Sequence, residues 1–144
     1  MFGKINVVYD GEKYIGYEAE DMPLPALHVG LCQRLNQFVS ERRQLAIREA
    51  FGWIDAYAAE TAALAFVSSN YQSVPPILIQ AWADEKGMSA RSAADDIVGR
   101  ANKVRLLLSE LSEILKTGRA EIEESLNHSE ALLALQTAFS KVTA

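Results

Sequence analysis

The period of the apolar residues changes along the chain. Residues 4–18, KINVVYDGEKYIGYE, place β-branched and aromatic residues on both sides of Asp10-Gly11. That dipeptide readily supplies the two positive φ angles of a two-residue type I′ turn, so the segment predicts a β-hairpin. A lone two-stranded hairpin is marginal in water; it must lie on a helix, pair with another chain or extend a partner's sheet. Val7, Tyr9, Tyr14 and Tyr17 are therefore expected as partner-contact residues. In EAEDMPLPAL, Pro23 and Pro25 remove two backbone donors and bias Met22 and Leu24 towards extended backbone, which predicts a stiff connector ending near residue 25.

From residue 26 to 72 the chain lacks proline and is rich in alanine, leucine and charged helix formers. Leu35, Phe38, Leu45, Phe51, Ile54, Ala58, Ala62 and Phe66 recur mostly three and four residues apart. This predicts one long helix or two collinear ones, with Gly30 and Gly52 as the positions where the run would bend or break. SSNYQSVPP ends it, and Pro76 opens a short helix, PILIQAWADEKG, closed by Gly87. Ser89 then caps a long helix. Its positions Ala94, Ile97, Ala101, Val104, Leu108, Leu111, Leu115, Gly118 and Ile122 alternate steps of three and four, a heptad seam widened by Leu107 and Ile114. The seam needs a partner helix, either the preceding helix of the same chain, which is preferred, or another chain. A closing helix carries Leu132, Leu135, Phe139 and Val142 and is capped by Asn127 or Ser129. The expected fold is mainly α, a helical bundle or long helical hairpin with a coiled-coil-like seam, plus a short N-terminal β-hairpin. It forms a single domain over 1–144, built from segments 1–25, 26–72 and 74–144.

Composition narrows the chemistry. The 144 residues are 49% hydrophobic and 23% charged, ordinary globular usage. Fourteen Lys and Arg against nineteen Asp and Glu give a net charge of -5, the wrong balance for a duplex-DNA binder. A single cysteine cannot form an internal disulfide, and two histidines do not complete the common Cys/His zinc sites. The N-terminus has no apolar core behind a basic start, and no apolar run reaches spanning length, so a soluble protein without a cleaved secretion leader is expected.

Individual constellations are weak. His28 and Cys32 share a helix face, where ordinary packing outweighs an activated thiol. His128 reads as part of a cap or turn. Asp95-Asp96 suits the positive end of its helix, whereas Glu123-Glu124 lies late in it and reads as solvated or as an acidic contact surface. Arg42 and Arg43, in SERRQLAIRE, are weaker candidates for an acidic partner or a phosphate, since Glu41 and Glu49 flank them and helical ion pairs on a solvated face are the plainer account. Trp53, Tyr57, Phe66, Tyr71 and Trp82 read as core ahead of interface. The chain contains no GxxxxGK[ST], GxGxxG, HExxH, CxxC or GxSxG. A non-enzymatic protein is expected, with no cofactor, metal or small-molecule substrate.

One resemblance adds a function class. Residues 74–140 carry the tryptophan-bearing short helix around Trp82, the turn Gly87-Met88-Ser89, and the long helix after Ser89. They also carry Lys116-Thr117-Gly118-Arg119 followed by AEIEES, and a closing helix after Ser129. This region resembles the C-terminal helical part of small bacteriophage tail proteins, especially tail-fibre assembly chaperones and related fibre-associated proteins. The resemblance implies a non-catalytic protein that binds a tail-fibre or other tail subunit and prevents its premature association. It implies action in the host cytoplasm during assembly or retention in the virion tail, with homo-oligomers open and neither nucleic acid nor membrane as partner. A structural tail or baseplate subunit and a phage-encoded inhibitor of a host protein are the alternatives.

Overall fold

A computed structural model describes residues 3–144; Met1 and Phe2, which open the expected 1–25 segment, lie outside the described residues. The protein is mainly helical, with a two-stranded antiparallel hairpin at its N-terminal end. Strands β1 (Ile5–Tyr9) and β2 (Glu12–Tyr17) meet through Asp10 and Gly11 at φ 50° and 79°, the two positive angles the sequence predicts. Tyr9 faces Glu12, Val8 faces Lys13 and Val7 faces Tyr14, but Ile5 faces Tyr17. The extra residue falls at Ile15-Gly16, where Gly16 adopts φ 69° and its N–H donates to Asn6 Oδ1 at 2.6 Å. This bulge returns Tyr17 to the face of Val7 and Tyr14, and the Tyr14 and Tyr17 rings meet edge-on at 5.3 Å.

A 3-10 turn (Ala19–Asp21) leads into helix α1, Leu24–Phe51. Met22 is extended as expected, but Leu24 is already helical, and the Leu27 N–H donates to the Pro23 carbonyl at 3.0 Å. Pro25 is tolerated there because first-turn N–H groups have no intrahelical acceptor. The helix runs uninterrupted through Gly30. A methyl at Gly30 would lie 2.7 Å from Ile5 Cγ2, so glycine is what lets the hairpin lie on α1. Its buried stripe is Leu27, Leu31, Leu35, Val39 and Ala46, with Arg42 at the intervening position, whereas Phe38 is half-buried and Leu45 exposed.

The helical segment expected over 26–72 is two helices. Gly52 at φ 61° ends α1, and Asp55 caps α2 (Ala56–Ser68) by accepting from the Ala58 N–H at 3.0 Å. Helix α3 (Ile77–Lys86) follows directly after Pro76 and ends on Gly87 at φ 68°, where the Met88 N–H returns to the Ala83 carbonyl at 3.0 Å. Ser89 Oγ accepts from the Ser92 N–H at 3.1 Å and opens α4, Ala90–Glu124. Asn127 caps α5 (His128–Val142), and the Glu130 carboxylate reaches back to the Leu126 N–H at 2.9 Å.

Packing resolves two compact units, Met1–Arg43 with Ser109–Ala144, and Gln44–Leu108. The first holds the hairpin, α5 and portions of α1 and α4. There a methyl at Gly118 would lie 2.7 Å from Leu35 Cδ2 and 3.0 Å from Ala138 Cβ, so α1, α4 and α5 converge on that glycine. The second has its own core of Phe51, Ala59, Phe66, Ile79, Trp82 and Ile97. Within it Ala94, Ile97 and Ala101 of the seam are buried; Leu111, Gly118 and Ile122 are buried in the first unit. The seam is thus covered by the chain at both ends, while Val104, Leu107, Leu108, Ile114 and Leu115 between them are half-buried.

Two glycines of α4 separate packing from propensity. Gly99 has no neighbour within 4 Å of an added methyl, so Gly99→Ala should stabilise by about 0.5–1 kcal/mol through helix propensity. Gly118→Val should cost about 2–3 kcal/mol, because Ala138 and Leu35 must both yield. Urea denaturation midpoints check both, and an unchanged midpoint for Gly118→Val would show that the helices do not meet there.

Candidate interaction surfaces

The hairpin has an inward and an outward face, and the expected contact residues lie mostly on the inward one. Val7 is buried against Gly30 together with Ile5, which corrects its reading as a contact residue. Tyr9 and Tyr14 are half-buried, the Tyr14 hydroxyl donating to Glu12 Oε2 at 3.3 Å, and Tyr17 is exposed at the end of β2. The outward face carries Val8 and Ile15, 57% and 62% exposed, with Lys13 opposite Val8. Alternation along the strands distinguishes two faces; the choice between them depends on Gly30, whose role in receiving the hairpin shows only in three dimensions.

The two arginines differ. Arg42, on the buried stripe of α1, has its Nη1 buried without a hydrogen-bond partner. Arg43 donates from Nη2 to Ser112 Oγ at 3.0 Å. The expected helical ion pairs with Glu41 and Glu49 are absent, since the ion pairs among the described residues are Arg100–Asp96 and Arg105–Glu60.

The histidines and the cysteine each contact a distant part of the chain. Ser125 Oγ donates to the Ile122 carbonyl at 2.6 Å and so accepts from His28 Nε2 at 2.8 Å. Cys32 lies 3.9 Å from Glu123 Oε1, and no hydrogen bond joins it to His28; burial, then the Glu123 charge, pushes its thiol pKa up. An activated nucleophile needs the opposite shift. His128 Nε2 donates to the Met22 carbonyl at 2.6 Å, tying the start of α5 to the connector. Among the described residues no three His, Cys, Asp or Glu side chains gather as metal ligands, and no helix is long and apolar enough to cross a membrane.

In the second unit the acidic pair of α4 does more than favour the helix dipole. Asp96 Oδ2 accepts from the buried Trp82 Nε1 at 2.9 Å and from Arg100 Nε at 3.0 Å, while Arg100 Nη1 donates to the Ala50 carbonyl at 2.9 Å. Lys86 Nζ and the Arg100 guanidinium sit 5.0 and 5.2 Å from the Trp82 ring centre. Asp95 accepts from the Tyr71 hydroxyl at 2.5 Å, which raises that phenol's pKa, and Arg91 stacks on the ring. Phe66 and Trp82 are core residues, as the sequence suggests. Trp53 and Tyr57 are not: Trp53 stands 97% exposed in the turn after α1, and Tyr57 81% exposed in the first turn of α2. Gly52, at φ 61°, ends α1 just before Trp53 and turns the chain away from the helix, so size alone does not bring these aromatics into the core.

These features define a mainly α-helical protein whose N-terminal hairpin lies on its first helix and turns apolar side chains outward. No protein-family model, curated protein or solved structure matches the chain.

The tryptophans should behave oppositely. Trp53→Ala should change stability by less than about 0.5 kcal/mol, whereas Trp82→Ala should cost about 3–5 kcal/mol; acrylamide should quench Trp53 and spare Trp82. The raised thiol and phenol pKa values have a definite sign. Their neutral forms stabilise the fold below the ordinary values of 9.0 and 10.0, and that contribution is lost as pH rises through the higher folded values. Urea midpoints should therefore fall on the alkaline side, less steeply in Cys32→Ser and Tyr71→Phe.

Proposed function

We propose that the chain is a non-catalytic binding protein whose hairpin docks on another protein. The observation that carries this reading is the hairpin itself. It is a two-stranded sheet whose strands pair only with each other, held by one face to α1, with Val8 and Ile15 turned to solvent. Unpaired strand edges and an outward apolar face are what a partner's sheet edge accepts. Following the resemblance of residues 74–140, the partner is a phage tail-fibre or other tail subunit and the chain serves as an assembly chaperone in the host cytoplasm. The burial of Ala94, Ile97, Ala101, Leu111 and Ile122 within the chain supports this over a subunit that assembles through the whole seam.

Light scattering on the purified protein, alone and after co-expression with the protein encoded beside it, tests the proposal. A monomer that forms a stoichiometric complex with its neighbour is expected. A symmetric oligomer that ignores the neighbour would favour a structural tail or baseplate subunit, and capture of a host protein instead would favour an inhibitor. Replacing Val8 and Ile15 together by Ser should weaken the complex about tenfold or more while leaving helical circular dichroism unchanged, because both side chains face solvent in the free chain. Unchanged affinity would remove the hairpin from the interface.

A further inference from the structure

Three of the first unit's cations come together in one place. Arg43 of α1 and Lys116 and Arg119 of α4 line a single open groove of about 470 Å³, with Leu115 and Ala120 as apolar lining and Glu123 as its one carboxylate. This happens on a chain of net charge -5. Ser112 fixes the Arg43 guanidinium through the 3.0 Å contact, which places that charge at the level of residue 112 on α4. The cations therefore stand at levels 112, 116 and 119, steps of four and three residues along a helix. Neither ion pair among the described residues involves them, and the three cations outnumber the one carboxylate of the groove.

We propose that this groove binds an acidic α-helix of the partner protein, with carboxylates recurring at i, i+4 and i+7 opposite Arg43, Lys116 and Arg119. The inference rests on the protein-binding reading above and adds the chemistry of what is bound. Spacing selects a helix. Seven residues of helix advance about 10.5 Å, and a packed helix carries carboxylates at the same steps. A strand presents one face every two residues, so three of its side chains span about 13–14 Å and lose register with the third cation. Leu115 and Ala120 offer apolar contact between the charges, which suits the flank of an amphipathic helix better than a phosphate backbone. The guanidiniums of Arg43 and Arg119 can each take a carboxylate through two parallel hydrogen bonds.

The test uses the full-length protein and a fluorescent alanine-rich helical peptide of about 20 residues, long enough to be helical in water. It carries Glu at i, i+4 and i+7 and Leu between them, and a matched peptide carries Gln in place of Glu. Anisotropy should show salt-sensitive binding of the Glu peptide alone. Arg43→Glu, Lys116→Glu and Arg119→Glu should each weaken it about tenfold or more, and Lys116→Arg should preserve it, with urea midpoints confirming that every variant folds. Equal binding of the Gln peptide, no binding of the Glu peptide, or unaltered affinity in the charge reversals would overturn the proposal. Tighter binding of a single-stranded oligonucleotide than of the Glu peptide would overturn it in favour of a nucleic-acid groove. The co-expression experiment separates the two levels: a neighbour that co-purifies equally with the triple charge reversal sinks the groove and leaves protein binding standing. Specific peptide binding without any co-purifying neighbour does the reverse.

Discussion

A helix of 35 residues with an apolar stripe from Ala94 to Ile122 cannot leave that stripe in water, and most of this molecule is the means of covering it. The stripe is made of small residues at several of its most buried positions, Ala94, Ala101 and Gly118. Small residues admit a neighbouring helix closely, and they contribute little apolar area of their own, so the burial has to come from the larger side chains brought onto them. Trp82, Ile79 and Phe66 do this in one unit; Leu35 and Leu135 belong to the core of the other. Both units depend on α4, although each has a distinct core.

Burying a tryptophan creates a further obligation. An indole N–H removed from water without an acceptor costs about 1–3 kcal/mol, and Asp96 supplies the acceptor for Trp82. Arg100 then balances that carboxylate and satisfies a carbonyl in the last turn of α1. The chain Trp82–Asp96–Arg100–Ala50 thereby couples three helices through polar groups inside one unit. Tyr71 repeats the arrangement on a smaller scale with Asp95 and Arg91, and these contacts hold a non-glycine residue at φ 61°.

Much of the fold is legible in the sequence because local chemistry and global packing agree. Asp10-Gly11, Gly87, Ser89 and Asn127 each do in space what their side chains or φ freedom imply, and the seam is buried or half-buried throughout. Legibility fails where one residue serves two purposes. Arg42 occupies a core position of α1, and a guanidinium there disguises the stripe, so the apparent period slides onto Phe38 and Leu45. Asp95 and Asp96 read as dipole partners because the aromatic residues they bind are distant in sequence. Trp53 and Tyr57 misled for a different reason: composition favours burying large aromatics, and a break at one glycine overrides it. Of the basic groove, Arg43 is visible in the sequence as a charge, but its alignment with Lys116 and Arg119 comes from the pairing of two helices far apart in the chain.

The bulge at Ile15-Gly16 has a consequence for how such a protein changes over generations. By carrying Tyr17 back to the side of Ile5 and Val7, it gathers the residues that hold the hairpin down onto one face and leaves the other to Val8, Lys13 and Ile15. Val8, Lys13 and Ile15 are exposed, so replacements there cost the fold little. The outer surface can thus drift while the inherited scaffold stays constant, a separation that an unbulged hairpin, with Tyr17 pointing outward, would not have made.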